Sequence, residues 1–369
     1  MQYYKLQDLC TDIVDCPHST PEWRTEGIRV VRNFNLKNGN LDFTDGYFVD
    51  EETYLDRIKR AVPEADDIII SREAPMGVVG IVPKNLKCCL GQRLVLLKVN
   101  KKKCNPYYLL FMLMSDFVQT QFKRADATGS IVSNLCIPDL KEIIIPMIDN
   151  GQDNVANLLE TINNKMLVNK KINDNLEQML HTKYEYIFVQ NKRDEWQSST
   201  LEHVAEMYQP KTISGNALTS DGDYFVYGAN GIIGKYNQYN HVEPQIAVAC
   251  RGASCGTLTM TLPQVWITGN AMVVNPLPSF PYKEYLYYTL CKKNISYLCS
   301  GSAQPQLTRE NMNLYTLLIP SKDLLNQFEE EAIAARKIII ANQLENNQLA
   351  DLRDWLLPML MNGQATIED

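Results

Sequence analysis

The sequence predicts an α+β protein written twice: two tandem mixed α/β domains, each followed by a long α-helix. Three observations carry this. TGSIVSNLCIPDLKEIIIP, from Thr128 to Pro146, and SGSAQPQLTRENMNLYTLLIP, from Ser300 to Pro320, repeat a Gly-Ser turn, a polar stretch, an apolar run and a closing Ile-Pro. A colinear series of weaker matches precedes each copy. A charged segment with heptad spacing follows each copy.

The matches run in order. Leu6-Gln-Asp-Leu-Cys-Thr-Asp-Ile matches Leu201-Glu-His-Val-Ala-Glu-Met, and Val30-Val-Arg-Asn-Phe-Asn lies opposite Phe225-Val-Tyr-Gly-Ala-Asn. Ile68-Ile-Ile-Ser-Arg pairs with Ala247-Val-Ala-Cys-Arg, setting Arg72 opposite Arg251 and Gly77 opposite Gly256. Gly91-Gln-Arg-Leu-Val-Leu-Leu then faces Gly269-Asn-Ala-Met-Val-Val, and Tyr108-Leu-Leu-Phe faces Tyr285-Leu-Tyr-Tyr. The offset drifts from 195 to 172, as loops of unequal length between retained elements require. The apolar runs at Ile68, Leu94, Ile246 and Met272 read as short strands bounded by Gly and Pro. The predicted divisions are 1–148 and 196–322 for the domains, 149–195 for the central helix, and 323–369 for the C-terminal helix and tail.

Alternate steps of four and three give Val155, Leu159, Ile162, Met166, Asn169, Asn173, Leu176 and Leu180 on one seam. The same steps 173 residues later give Phe328, Ala332, Ala335, Ile339, Asn342, Asn346, Leu349 and Arg353. Two polar layers coincide, Asn169 with Asn342 and Asn173 with Asn346. Two readings compete: each helix packs on its own domain, or the helices pack on each other and the Asn layers fix register at some cost in stability. A helix from Val155 to Leu180 spans roughly 39 Å at ~1.5 Å per residue. One turn of DNA is about 34–36 Å.

Composition sets the limits. A chain of 369 residues, 45% hydrophobic, is long enough for two or three cores. The opening Met1-Gln-Tyr-Tyr-Lys has no apolar leader and no run approaches the roughly 18 apolar residues of a membrane helix, so a cytoplasmic protein is expected. The ten scattered cysteines are expected as reduced thiols, and four separated histidines without a Cys-x-x-Cys make a zinc site improbable. The net charge of −7 is unevenly spread: 19 basic residues meet 19 acidic in 1–148 and 7 meet 7 in 196–320, whereas 149–195 and 321–369 carry the excess acid. Neutral domain bodies leave room for a local basic face toward phosphates.

The chain resembles the specificity subunit of a type I restriction-modification enzyme over essentially its whole length. The residues that carry the resemblance are Tyr227-Gly-Ala-Asn-Gly-Ile-Ile-Gly-Lys-Tyr236, Gly301-Ser-Ala-Gln-Pro-Gln-Leu307, Lys170-Lys-Ile-Asn-Asp-Asn-Leu176 and Leu352-Arg-Asp-Trp-Leu-Leu-Pro-Met-Leu-Met-Asn-Gly363. The first half departs, with Thr128-Gly-Ser-Ile-Val-Ser in place of the Gly-Ser-x-Gln form. The resemblance implies two target-recognition domains, with the helices pairing as an antiparallel coiled coil that acts as a spacer. It implies recognition of a bipartite, asymmetric double-stranded DNA target. Two partner modification subunits would bring S-adenosylmethionine and methylate adenine, and restriction motor-nuclease subunits would join for cleavage. The chain itself would need no cofactor and no metal.

Base reading calls for Arg, Asn, Gln and similar side chains in a groove. The candidates are Arg32, Asn33, Asn35 and Arg72 in the first half, and Tyr227, Asn230, Lys235, Tyr236, Arg251 and Gln304 in the second. Each has a structural alternative: Asn35 and Asn230 as left-handed turn residues, Arg72 and Arg251 as ion-pair members. Enzyme readings fare poorly. Asn105-Pro-Tyr-Tyr lacks the second Pro of a methyltransferase loop and is better read as a helix start. Gly228-Ala-Asn-Gly-Ile-Ile-Gly has the spacing of no nucleotide fingerprint and reads as a turn between strands. Asp50-Glu-Glu and Glu329-Glu-Glu read as a solvated loop and an early helix turn. A tandem adaptor that binds DNA or protein without restriction partners is the remaining alternative.

Overall fold

A computed structural model of the chain describes residues 1–44, 46–73, 75–126, 134–148, 151–219, 221–293, 295–301 and 305–361. They form two compact units: Met1–Leu167 with Glu345–Asp369, and Val168–Leu344.

Each unit builds the same sheets from different sequences. In the first, a four-stranded antiparallel sheet runs Cys10–Asp15, Leu94–Val99, Ile68–Ser71, Val79–Ile81; in the second it runs Ala205–Tyr208, Ala271–Pro276, Ile246–Ala249, Leu258–Met260. A smaller sheet follows the same plan in both. Ile28–Val31 pairs parallel with Cys88–Leu90, as Tyr224–Gly228 does with Trp266–Ile267. A third pairing joins the start of each half to its end, Gln2–Lys5 with Ile144–Met147 and Gln197–Thr200 with Thr316–Ile319. The β-branched runs at the centre are buried on both faces, every residue of Ile68–Ser71 and Ile246–Ala249 included.

The ladders fix the equivalences and correct three of the sequence pairings by one residue. Val30 and Val31 pair with Cys89 and Leu90, and Val226 and Tyr227 pair with Trp266 and Ile267, so Val30 corresponds to Val226 rather than Phe225. Gly91 donates to the Val31 carbonyl as Thr268 does to Tyr227, so Gly91 corresponds to Thr268 rather than Gly269. Arg72 N donates to Arg93 O and its carbonyl accepts from Leu135 N; Cys250 makes the same two bonds with Asn270 and Leu307. Cys250, not Arg251, therefore stands in the place of Arg72. Gly77 and Gly256 remain equivalent, at φ 78° and 88°, each donating to the strand end behind it. The loop between is one residue longer in the second half.

Tyr108 and Tyr285 are equivalent. Their hydroxyls donate to the carbonyls of Pro146 and Leu318, at 3.2 and 2.7 Å, tying a helix to the closing strand in each unit. The helix starts differ. Asn105 caps Pro106–Met114 by accepting from Tyr107 N and Tyr108 N, the helix start read from the sequence. Lys283–Lys292 has no side-chain cap of its own; the Glu329 carboxylate accepts from Glu284 N at 2.9 Å and Tyr285 N at 3.1 Å. Glu329 lies within the helix Lys322–Met361 and is buried there, whereas Asp50, read as part of a solvated loop, caps the helix Glu51–Arg57.

Two long helices, Gln152–Tyr184 and Lys322–Met361, pair antiparallel. In the second unit Asn173, Glu177 and Lys183 meet Asn342, Arg336 and Glu331 in that order. In the first, Lys165 meets Glu345 at 3.2 Å, and Val155 and Leu159 share a core with Leu357 and Leu360. Asn173 Nδ2 donates to Ile339 O at 3.2 Å and Asn346 Nδ2 to Met166 O at 3.1 Å; each bond is the other displaced by the 173-residue offset. Much of the seam is buried, with Leu159, Asn169, Leu180, Phe328 and Ala332 at 0% exposure, while Met166, Leu176, Asn342, Asn346 and Leu349 are half-buried.

The cysteine expectation is corrected at one place: Cys255 and Cys299 are joined as a disulfide, while eight other cysteines are free. Among the described residues no helix is long and apolar enough to cross a membrane. No cluster of three or more His, Cys, Asp or Glu able to hold a metal occurs among them either.

Candidate nucleic-acid interface

In the first unit, Ile28–Val31 ends at Arg32, and a short turn over Asn33–Asn35 carries the chain away from the sheet. Arg32 extends its guanidinium over three rings, 4.6 Å from Tyr47, 5.2 Å from Phe34 and 5.4 Å from Trp23. Such stacking holds a cation in place while leaving its N–H groups directed outward. Arg32 and Asn33 line a cleft of 360 Å³ with Trp23, Phe34, Gln92 and Arg93. Arg93 sits at φ 65°, a costly backbone state for a non-glycine residue. Asn33 commits its Nδ2 to Glu73 O at 2.6 Å, which orients the amide.

Two first-half candidates are held for other purposes. Asn35 is 1% exposed; its Oδ1 accepts from Arg32 N and its Nδ2 donates to Asp42 O, so it closes the turn instead of facing solvent. It does so without a left-handed backbone, since it is absent from the residues at positive φ. Arg72 binds Asp15 Oδ1 at 2.9 Å, Leu135 O at 3.0 Å and Asn134 Oδ1 at 3.3 Å. The guanidinium is consumed in locking a strand end to Asn134 and Leu135, within the repeated segment.

In the second unit, Tyr224–Gly228 and Gly231–Tyr236 form a hairpin across Ala229-Asn230, with Gly231 at φ 78° supplying the backbone that the tight turn demands. Asn230 is exposed at its tip. Lys235 lies 5.6 Å over the Phe225 ring, and Tyr236 meets Trp266 edge to face at 5.4 Å. Tyr227 is 5% exposed and belongs to the core, its hydroxyl accepting from Leu262 N. It is a packing residue, and burial raises its phenol pKa.

Arg251 opens a second cleft, of 570 Å³, lined also by Gln209, Cys250, Gln306 and Arg309. Arg251 and Gln306 oppose each other across an antiparallel bridge, flanked by Gly252 N to Pro305 O and Leu307 N to Cys250 O. Gln304 lies outside the described residues. The sequence reading missed Gln209, Gln306 and Arg309 here, and Trp23 and Arg93 in the first unit. Gln306 and Arg309 lie within the quoted repeat, so the signal for them was present.

Much of the first unit's positive charge is neutralised in place. Lys98 is held by Glu64 and Asp67, Lys101 by Asp66, Lys87 by Glu51 and Arg24 by Asp50. Arg32, Arg251 and Arg309 form no ion pair among the described residues. Arg32 thus stands at one cleft, and Arg251 and Arg309 at the other.

Residues 2–178 and 193–349 each match the family model of the type I restriction modification DNA specificity domain. The chain is 22% identical over 273 residues to the type I restriction enzyme EcoprrI specificity subunit of Escherichia coli, covering 69% of this chain and 67% of that one. It is 29% identical over 86 residues to the type I restriction enzyme HindI specificity subunit of Haemophilus influenzae, covering 22% and 19%. Its fold is similar to that of the crystal structure of a type I restriction-modification S subunit from M. genitalium, with a TM-score of 0.59, 16% identity and coverage of 96% and 94%.

Proposed function

The chain belongs to the type I restriction modification DNA specificity family, and on that premise we propose that it reads a bipartite, asymmetric double-stranded DNA target, one part with each half. The target-recognition domains are 1–148 and 196–322, and the helical segments 149–195 and 323–369 set the gap between the two parts. The chain is non-catalytic and cytoplasmic. It docks two modification subunits, which carry S-adenosylmethionine and methylate an adenine in each part, and restriction motor-nuclease subunits join the complex for cleavage.

The observation that carries this reading is the duplicated hydrogen-bond register. Two units with one topology, related in sequence by a fixed displacement along an antiparallel helix pair, suit two readings of one duplex. Different side chains on equivalent frames suit two different half-targets. Within each unit the proposed contacts are Arg32 and Asn33, and Asn230, Lys235, Tyr236, Arg251 and Gln304.

The test is DNA binding across a salt series, with and without the modification subunits. The isolated chain binds weakly, because its balance of 36 basic against 43 acidic residues offers few phosphate contacts, and the complex binds tightly and specifically. Log affinity falls against log salt with a slope of roughly −0.9 per phosphate contact. Tight, specific, steeply salt-dependent binding by the chain alone contradicts the proposal. A complex that binds no DNA supports the protein-adaptor alternative instead.

A further inference from the structure

The two halves are not interchangeable at the strand end that follows the central sheet. Val14 faces Leu96 and Tyr208 faces Val273 in matching registers, so Asp15 and Gln209, one residue on, occupy equivalent places. Arg72 and Cys250 are equivalent by the bonds given above. The first unit therefore carries an Asp15–Arg72 ion pair where the second carries Gln209 and Cys250, which lie within hydrogen-bonding reach. The charged pair fills its site and ties it to Asn134 and Leu135. The smaller neutral pair leaves the 570 Å³ cleft open, with Arg251 and Gln306 on its rim.

We infer that Arg251 and Gln306 are a base-reading pair that determines specificity in the second half only, the equivalent places in the first half being held by Glu73, paired with Arg93, and Asn134, bound by Arg72. This rests on the proposed reading of one half-target by each half. Both residues are exposed, and both stand on backbone fixed by the flanking bonds of the bridge, so their side chains leave from defined points on neighbouring strands. Their chemistry is that of groove readers: the guanidinium fork matches the two acceptors of guanine, and the Gln amide matches the acceptor and donor of adenine. Phosphate binding fits less well. Glu310 lines the same cleft beside Arg309, and its carboxylate repels an anion there.

The test uses the chain with its modification subunits in a host free of other adenine methylation, the methylated motif being read by long-read sequencing. Gln306→Ala and Arg251→Lys are the informative variants, because Lys keeps the charge and loses the fork. Each is expected to relax discrimination at one base pair of the second part by about 5- to 150-fold, with the first part unchanged and the melting temperature of the subunit retained. Wild-type motifs in both variants, or uniformly weaker methylation of an unaltered motif, overturn the pair as base readers. A change confined to the first part overturns it equally. If the wild-type complex yields no bipartite motif, the proposed function itself fails, and that outcome is distinct from the others.

Discussion

Asn342 donates its side-chain Nδ2 to Asn173 Oδ1 at 2.8 Å across the two long helices, and Asn173 passes its own Nδ2 to the Ile339 carbonyl at 3.2 Å. The layer is polar in a seam that is apolar over most of its length, and the Asn173 and Asn342 side chains bond each other across it. Burying either amide alone leaves donors and acceptors without partners, at about 1–3 kcal/mol each. Asn173→Leu is therefore expected to lower the melting temperature more than Asn173→Leu with Asn342→Leu, in which the polar groups leave together. The methylated spacer length should be sharper in wild type than in the double variant, since Leu against Leu tolerates slippage. Equal destabilisation by the single and double variants contradicts this account of the layer.

Arg72 holds Asp15, Leu135 and Asn134 with its side chain 13% exposed. Arg72→Met leaves the partly buried Asp15 carboxylate without its cation and is expected to cost about 1–3 kcal/mol. Thermal unfolding measures it. Replacing both members, Arg72→Met with Asp15→Asn, should recover part of the loss, and an unchanged melting temperature in the single variant refutes the lock.

Burial pushes the Glu329 carboxyl from its ordinary 4.5 up to about 7, against the N–H groups of Glu284 and Tyr285, with the Glu284 carboxylate adding to the rise. The folded state thus binds a proton that the unfolded state has released, and stability falls as pH rises between about 4.5 and about 7. Glu329→Gln, which mimics the protonated form, should flatten this slope and unfold at a higher temperature than wild type at pH 8. Parallel pH profiles for the two proteins would dispose of the assignment.

Deleting residues 196–369 removes Leu357 and Leu360, which share a core with Val155, Ala156 and Leu159. A second copy of the remaining helix, whose seam repeats that of Lys322–Met361 at the 173-residue offset, can replace that face. The half-chain is expected to dimerise and, with modification subunits, to direct methylation of a symmetric motif, because identical halves related by a twofold read identical half-sites. A monomeric half-chain, or an asymmetric motif, goes against the two-domain reading.

The repeat and the helix seam were legible in the sequence because both rest on spacing, which survives divergence. The strand registers were legible only to within one residue. Ile68–Ser71 and Ile246–Ala249 are buried at every position, so no alternation of apolar and polar residues distinguishes one register from the next. That is why Arg72 was set against Arg251 when its true counterpart is Cys250. The first half also carries a turn and an extra pair of short strands, Leu36–Lys37 and Asn40–Leu41, where the second makes a direct hairpin. Among the candidate contacts, burial decided the errors: Asn35 and Tyr227 have the chemistry of base readers and lie in the interior. Glu329 was read as a helix residue and lies in one, but its role as the cap of Lys283–Lys292 shows only in the packing of that helix against it.

The most direct test of bipartite recognition is the adenine methylome of cells with and without this gene, its modification partners present in both. The gene is expected to add a single asymmetric motif, two defined parts separated by a fixed number of unspecified bases, with one methylated adenine in each part. A contiguous or symmetric motif, or methylomes that do not differ, would contradict it.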